Sequence, residues 1–304
     1  MESLEALAFV VLWSSAAVAA KIGLRSAPPL TLLTARFAGA GLLLLAGLAI
    51  FRRPLWPGRR WKALALLGLL NTTLYLGASF VALTVVPAGL FNLFVATNPF
   101  LVLVFSRFWL KTAVTRTQWT GFFVASAGLL VGSWSGAVKT KAPLWGIGLI
   151  VLGMAAMAAG SLCFQRLHIS LPGVVVNAWQ LLFGAALLGP VAILASGGQS
   201  VDWNLAWWGS LAWLVGAVSI GAMLLWFHLL QSGAAKASMW LLLTPIIGYA
   251  LAAAILHEPF TVADAAASAL VIAGLAISEH RTPLIAAGRP QSGSPRQQGR
   301  REKS

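Results

Sequence analysis

The chain has 304 residues, 59% hydrophobic and 9% charged, where a water-soluble domain carries about 25% charged residues. That composition excludes a soluble globule: apolar runs of the length that crosses a bilayer, roughly 20 residues, fill the chain up to residue 278. The net charge of +14 sits in clusters between those runs and not on a stripe interleaved with exposed aromatics, a pattern of membrane topology that argues against nucleic-acid binding.

Ten spans are predicted, at 4–23, 30–51, 61–83, 88–109, 116–136, 145–167, 173–196, 207–231, 234–256 and 261–279, which makes an all-α integral membrane protein. The alternating patterns of a membrane barrel are absent. The N-terminus carries Glu2 and Glu5 and no basic stretch, so the first span is read as a retained helix and not a cleaved signal peptide. It carries Ser14 and Ser15 near its middle and Lys21 near its far end, where a long cation is expected to snorkel to the headgroups. The second span opens at Pro28 and Pro29 and contains Arg36. In the third, Asn71, Tyr75 and Ser79 recur every four residues and share one helix face. A polar face at that depth lines a cavity or makes hydrogen bonds between helices. The fourth span carries Asn92 and, halfway along, Asn98 and Pro99; the fifth has Gly128 and Gly132, spaced for close helix packing. Ser161 and Cys163 lie in the sixth, and with one cysteine the chain forms no internal disulfide. The eighth holds Ser219, then His228 and Gln231 near its end, and the ninth holds Trp240, Thr244 and Pro245. The tail, 281–304, is rich in Pro, Gly, Ser and Arg and is expected to be a disordered basic segment.

Ten spans put both termini on one side. Sixteen of the 21 cations fall on that side and four on the other, with Arg36 inside a span, so both termini are expected in the cytoplasm. The halves, 1–140 and 141–280, also resemble each other at offsets near 146: Ser26-Ala27-Pro28 matches Ser170-Leu171-Pro172, and Ala127-Gly128-Leu129 matches Ala273-Gly274-Leu275. Five spans per half is an odd number, so the second repeat is expected to have inverted topology, the arrangement that supports alternating access. Pro99 and Pro245, 146 residues apart, interrupt the fourth and ninth spans at matching points and leave the carbonyls of Val95 and Leu241 without their usual donors. They are expected to act as a helix-kink or gate pair, the alternative being plain packing kinks.

No acidic residue falls in the middle of a span and no nucleotide-binding loop is present, so an intramembrane carboxylate proton relay and direct use of ATP are not expected. No cofactor or metal is expected either. A neutral or zwitterionic solute suits what remains, with Asn71, Tyr75, Ser79, Asn98, Ser219 and Thr244 as its candidate binding residues. From another class, an intramembrane hydrolase would use Ser161 or Ser219 with His228, but no nucleophile motif surrounds them.

Trp13-Ser14-Ser15-Ala16 with Lys21, Pro28-Pro29 followed by Arg36, and His257-Glu258-Pro259-Phe260-Thr261 before the last span resemble the drug/metabolite transporter superfamily, EamA type. The resemblance covers both halves and runs in particular to members that export aromatic amino acids. It implies ten helices with both ends cytoplasmic, a central cavity formed by the third, fourth, eighth and ninth helices with the first and sixth, and no catalytic residue. The expected protein is thus an inner-membrane exporter or facilitator of amino acids, aromatic or other neutral ones, and related small metabolites. Its partners would be that solute and the lipid bilayer. A carrier of drugs or nucleotide sugars is the alternative within the superfamily. One departure stands out: Lys111-Thr112 occupies the first-half position of His257-Glu258, so the acidic turn residue occurs once and not twice.

Overall fold

The computed structural model describes residues 2–109, 111, 114–140, 142–167, 169, 171–231 and 240–279. The tail 281–304 lies outside the described residues, as do Lys236 and Thr112. Ten helices run through the described chain: α1 (Glu2–Gly23), α2 (Pro29–Ile50), α3 (Gly58–Ala82), α4 (Ala88–Trp109), α5 (Arg116–Thr140), α6 (Leu144–Arg166), α7 (Gly173–Ala195), α8 (205–231), α9 (Thr244–Leu256) and α10 (Val262–Glu279). No strand occurs among the described residues. Seven of these helices contain a stretch long and apolar enough to cross a membrane, namely α1 to α4 and α6 to α8, while α9 and α10 are shorter apolar helices. The protein is therefore an all-helical, multi-pass membrane protein.

Proline sets where several helices begin. Pro28, Pro87 and Pro172 cap α2, α4 and α7 with φ of −57°, −58° and −54° and ψ of 144°, 144° and 137°. In that extended conformation the chain has not entered the helix, and proline, lacking an N–H, leaves no donor unpaired there. Before α8 the cap is a side chain: Asn204 Oδ1 accepts the Trp207 amide at 3.0 Å and the Ser26 hydroxyl at 3.0 Å, which ties the α1–α2 turn to the start of α8.

The helices pair as α5 with α10, α2 with α7, α4 with α9, α3 with both α6 and α7, α1 with both α8 and α9, α2 with α8, and α4 with α6. Exchanging α1–α5 for α6–α10 turns this set into itself, while other contacts, such as α2 with α3 and α1 with α4, have no counterpart of like extent. The α5–α10 pair is the most intimate. A Cβ on Gly121 would collide with the Gly274 carbonyl and one on Gly274 with the Gly121 carbonyl, so here two backbones touch as only glycine permits. Gly128 and Gly132 lie on the same helix and meet Ala267, as the expectation of close packing requires.

Departures from α-helical geometry come in matched pairs too. α3 contains a π-helical stretch, Gly68–Leu74, and its counterpart α8 another, Trp213–Ala222. α4 breaks at Thr97, where the Thr97 amide and hydroxyl both turn back to the Phe94 carbonyl at 3.0 and 2.7 Å, just before Pro99. α9 is led in by a 3₁₀ turn, Leu241–Leu243, just before Pro245. The missing proline N–H accounts for both breaks. π-helical turns shift the register of a helix face and are frequent at functional sites.

Candidate solute-binding site

The predicted polar residues lie at helix crossings. Asn71, in the π-helical part of α3, donates Nδ2–H to Gln180 Oε1 of α7 at 2.9 Å, and its amide presses on Gly160 of α6, where any Cβ would collide with it. Its Oδ1 is buried without a hydrogen-bond partner. Ser79 is fully buried, donates to the Tyr75 carbonyl at 2.7 Å and faces Gly153 of α6. Thus two members of the Asn71–Tyr75–Ser79 face make packing contacts, while the buried Tyr75 is an electrostatic neighbour of Arg36. Asn98 donates to the Met154 carbonyl at 3.1 Å and so joins α4 to α6. At the crossing of α1, α4 and α9, the Ser14 hydroxyl reaches the Thr244 carbonyl at 3.4 Å and Asn92 donates to the Ser14 carbonyl at 3.1 Å, while Thr244 Oγ1 is buried without a partner. Pro245 is buried and Pro99 is exposed.

Ser219 belongs to a fourth crossing. Its hydroxyl accepts the Nε–H of Arg36 at 2.9 Å, and its carbonyl accepts Nδ2–H of Asn177 at 3.0 Å. Arg36 is 6% exposed, and its guanidinium lies 5.9 and 5.8 Å from the ring centres of Phe37 and Phe80. From sequence Arg36 stands inside a span and outside the predicted binding residues, yet an ionisable side chain in an apolar run is itself the signal for a functional position. Asn177 and Gln180 were also missed, since amides on a helix otherwise read as apolar carry no local mark of the partner they meet.

Charge gathers at the ends of the bundle. At one end, Lys21 Nζ lies 3.2 Å from Glu258 Oε1, so this lysine pairs with a carboxylate instead of reaching for headgroups. His257, in the left-handed conformation at φ 55°, turns the chain after α9, and Glu258 accepts the backbone N–H groups of Ala88 and Gly89 at 2.9 and 3.2 Å. One carboxylate thereby joins the end of α1, the start of α4 and the α9–α10 turn, and caps α4 where the helix dipole favours negative charge. Beside it lies a cleft of about 320 Å³ lined by Lys21, Arg25, Thr84, Leu256 and Glu258 among others. On α10, Asp264 caps its own helix by accepting the amide and hydroxyl of Thr261, both at 2.9 Å, and takes the Ser135 hydroxyl at 3.1 Å. At the opposite end His228 Nε2 is 3.3 Å from Glu5 Oε2, a neighbour 223 positions away that the sequence does not reveal. Ser161 meanwhile donates to the Met157 carbonyl at 3.0 Å, so neither serine of the hydrolase reading is hydrogen-bonded to His228.

A sequence model described as the EamA-like transporter family matches residues 2–134 and, a second time, 144–278. The chain belongs to this family. The uncharacterized inner membrane transporter YedA of Escherichia coli (strain K12) is 35% identical over 191 residues, 62% of this chain; the chain spans 60% of YedA's length. The uncharacterized transporter YvbV of Bacillus subtilis (strain 168) is 28% identical over 274 residues, 89% of each chain. A protein of known crystal structure superimposes with a TM-score of 0.66 at 20% identity, covering 91% of this chain and 96% of the other. At that identity the likeness speaks to the fold alone. For an EamA-like transporter, the buried polar crossings between α2, α3, α7 and α8 and between α1, α4, α6 and α9 are the candidate surfaces for a small solute.

Proposed function

We propose that this transporter is an inner-membrane exporter or facilitator of amino acids, aromatic or other neutral ones, and related small metabolites. It works by alternating access between two five-helix repeats of inverted topology, 1–140 and 141–280. The observation that carries the reading is the doubled family match, at 2–134 and 144–278, together with helix contacts that survive exchange of the two halves. An odd number of helices per repeat makes the halves antiparallel, and two such halves rocking about a common site open it to either side in turn. Both termini and the basic tail 281–304 lie in the cytoplasm in this reading, which the sixteen-to-four cation bias supports.

The solute is held at the midplane by groups on α3, α4, α8 and α9, with α1 and α6 at their sides. Tyr75, Ser219 and Thr244 offer hydroxyls, Asn71 an acceptor and Asn98 an amide, while Pro99 and Pro245 act as the paired kinks about which α4 and α9 flex. The resemblance of the sequence motifs to superfamily members that export aromatic amino acids supports amino acids over the other solutes of the superfamily. Carboxylates with resolved contacts all lie toward helix ends, at Glu5, Glu258 and Asp264, which supports downhill movement without a carboxylate relay.

Counterflow in proteoliposomes with a labelled panel of amino acids, each with and without a proton gradient, tests the reading. Exchange of at least one neutral amino acid, unchanged by an uncoupler, is the expected outcome. Exchange confined to nucleotide sugars or cationic drugs replaces it with the other carrier reading, and loss of flux on uncoupling overturns the absence of proton coupling.

A further inference from the structure

We propose that Arg36, with Ser219 and Tyr75, forms a carboxylate-binding subsite inside the bundle, where the acid group of the transported solute docks. The proposal deepens the amino-acid reading above and rests on it for the class of solute.

A guanidinium has five N–H donors and keeps its charge. Arg36 is 6% exposed, and among the described residues its hydrogen bonding amounts to one donation, from Nε to the neutral Ser219 hydroxyl. The terminal nitrogens, four N–H groups in a planar fork, thus have no acceptor among the described residues. The flanking Phe37 and Phe80 rings, at 5.9 and 5.8 Å, lie near the outer limit of useful cation–π attraction and neutralise no charge. Among the described residues no carboxylate pairs with it: Glu258 meets Lys21 and the start of α4, Asp264 meets Thr261 and Ser135, and Glu5 meets His228. A charge held this deep without a counter-ion favours an anion as its partner.

The matched crossing shows that a cross-link here needs no charge. Shifting α2 onto α7 by the 144 residues that relate Pro28 to Pro172 places Gln180 at the position of Arg36. Gln180 meets Asn71 in the π-helical part of α3, as Arg36 meets Ser219 in the π-helical part of α8. The amide pair makes one neutral hydrogen bond and carries no charge; the arginine carries one. Ser219 is also held for a second task. Its carbonyl is fixed by Asn177, and its hydroxyl, having accepted Nε–H, keeps its own proton to donate. Tyr75 likewise has no hydroxyl acceptor among the described residues, and it lies on the helix whose Phe80 ring is 5.8 Å from Arg36. These donors suit a planar carboxylate, which a guanidinium takes in bidentate fashion. One cation neutralises one carboxylate, whereas a diphosphate would leave a second charge unpaired in the interior.

The test compares acids with their amides on purified protein: L-tryptophan, indole-3-acetate and benzoate against L-tryptophanamide, indole-3-acetamide and benzamide, read by thermal-shift titration in detergent. In wild type the acids should bind about tenfold or more tighter than the amides, the scale of a hydrogen-bonded charge pair. In Arg36→Gln that preference should vanish, with Arg36→Lys retaining part of it. Acids and amides of equal affinity on wild type overturn the subsite, and this arm needs no variant to fold. Acid preference that persists in Arg36→Gln also overturns it. Acid preference that depends on Arg36 in a protein exchanging no amino acid leaves the subsite standing and ends the amino-acid reading. Equal loss of acid and amide binding in Arg36→Gln would mark a structural arginine and overturn the proposal.

Discussion

The two ends of the bundle are built from matching parts and fastened differently. Lys111 and His257, 146 residues apart, follow α4 and α9, and each takes the left-handed conformation at φ 55°. After His257 comes Glu258, which binds Lys21 and two amides at the start of α4. After Lys111 comes Thr112, which has no carboxylate to offer. The cation near that turn, Arg166 at the end of α6, instead donates to the Trp109 carbonyl at 3.0 Å and lies over the Trp109 ring at 5.5 Å. The Lys21 end is thus latched by an ionised group spanning three elements, while the described contacts at the Arg166 end include a cation on a carbonyl and a ring. On the proposed alternating-access reading, such an asymmetry sets which end rests closed, because stability given to one state alone shifts the population toward it.

Removing the carboxylate should have the largest effect. Glu258→Gln loses the ion pair and turns two charge-assisted hydrogen bonds into neutral ones, about 1.5–3 kcal/mol, or about 10- to 150-fold toward opening at the Lys21 end. A cysteine at Leu24, beside the cleft, in a Cys163→Ser background reports it through labelling by a membrane-impermeant maleimide. Labelling no faster than in the parent would reduce Glu258 to a helix cap. Lys21→Met leaves the capping bonds of Glu258 in place and removes a partly exposed pair, so labelling should rise less, by about fivefold for about 1 kcal/mol. If Lys21→Met matched or exceeded Glu258→Gln, the pair and not the cap would hold the end shut.

Much of this architecture is legible in the chain, and the limits of legibility have a physical cause. Hydropathy and proline locate the helices: the spans read at 30–51 and 173–196 are the helices Pro29–Ile50 and Gly173–Ala195. The breaks at Thr97 and Leu241–Leu243 follow from Pro99 and Pro245, because a missing N–H is a local fact. A shared face for Asn71, Tyr75 and Ser79 is local too, but periodicity says nothing of which helix that face meets. So Gln180 opposite Asn71, Glu258 opposite Lys21 and Glu5 opposite His228 had to come from tertiary structure. The π-helical stretches have no residue signature at all, and it is one of these that carries Ser219 to Arg36.

Supplying the missing carboxylate sharpens the contrast from the other side. Thr112→Glu puts an acid where the repeat places the counterpart of Glu258, with Arg166 as the cation of the nearby helix end. A carboxylate brought near helix termini and an exposed arginine is worth about 0.3–1 kcal/mol, so the Lys21 end should open roughly two- to fivefold more often and the Leu24 reporter should label faster by that factor. Slower labelling would mean that the two turns are not functional counterparts.

The smallest effect is expected at Glu5 and His228, which also join α1 to α8 at the end remote from Lys21. Their geometry, 3.3 Å from nitrogen to oxygen, resembles that of Lys21 and Glu258 at 3.2 Å, and a reading from distance alone would rank the pairs together. Exposure separates them. The His228 and Glu5 side chains are 60% and 34% exposed, against 24% and 16% for Lys21 and Glu258, so water screens the first pair and competes for both partners. Glu5 also fastens no helix start through its carboxylate, as Glu258 does for α4, and the histidine contributes a full charge only when protonated. His228→Ala should therefore change stability by no more than about 0.5 kcal/mol and leave Leu24 labelling within about twofold of the parent. A shift as large as that of Glu258→Gln would show that the end carrying Glu5 is latched as firmly as the other, and the asymmetry between the two ends would have to be sought elsewhere than in the single acidic turn.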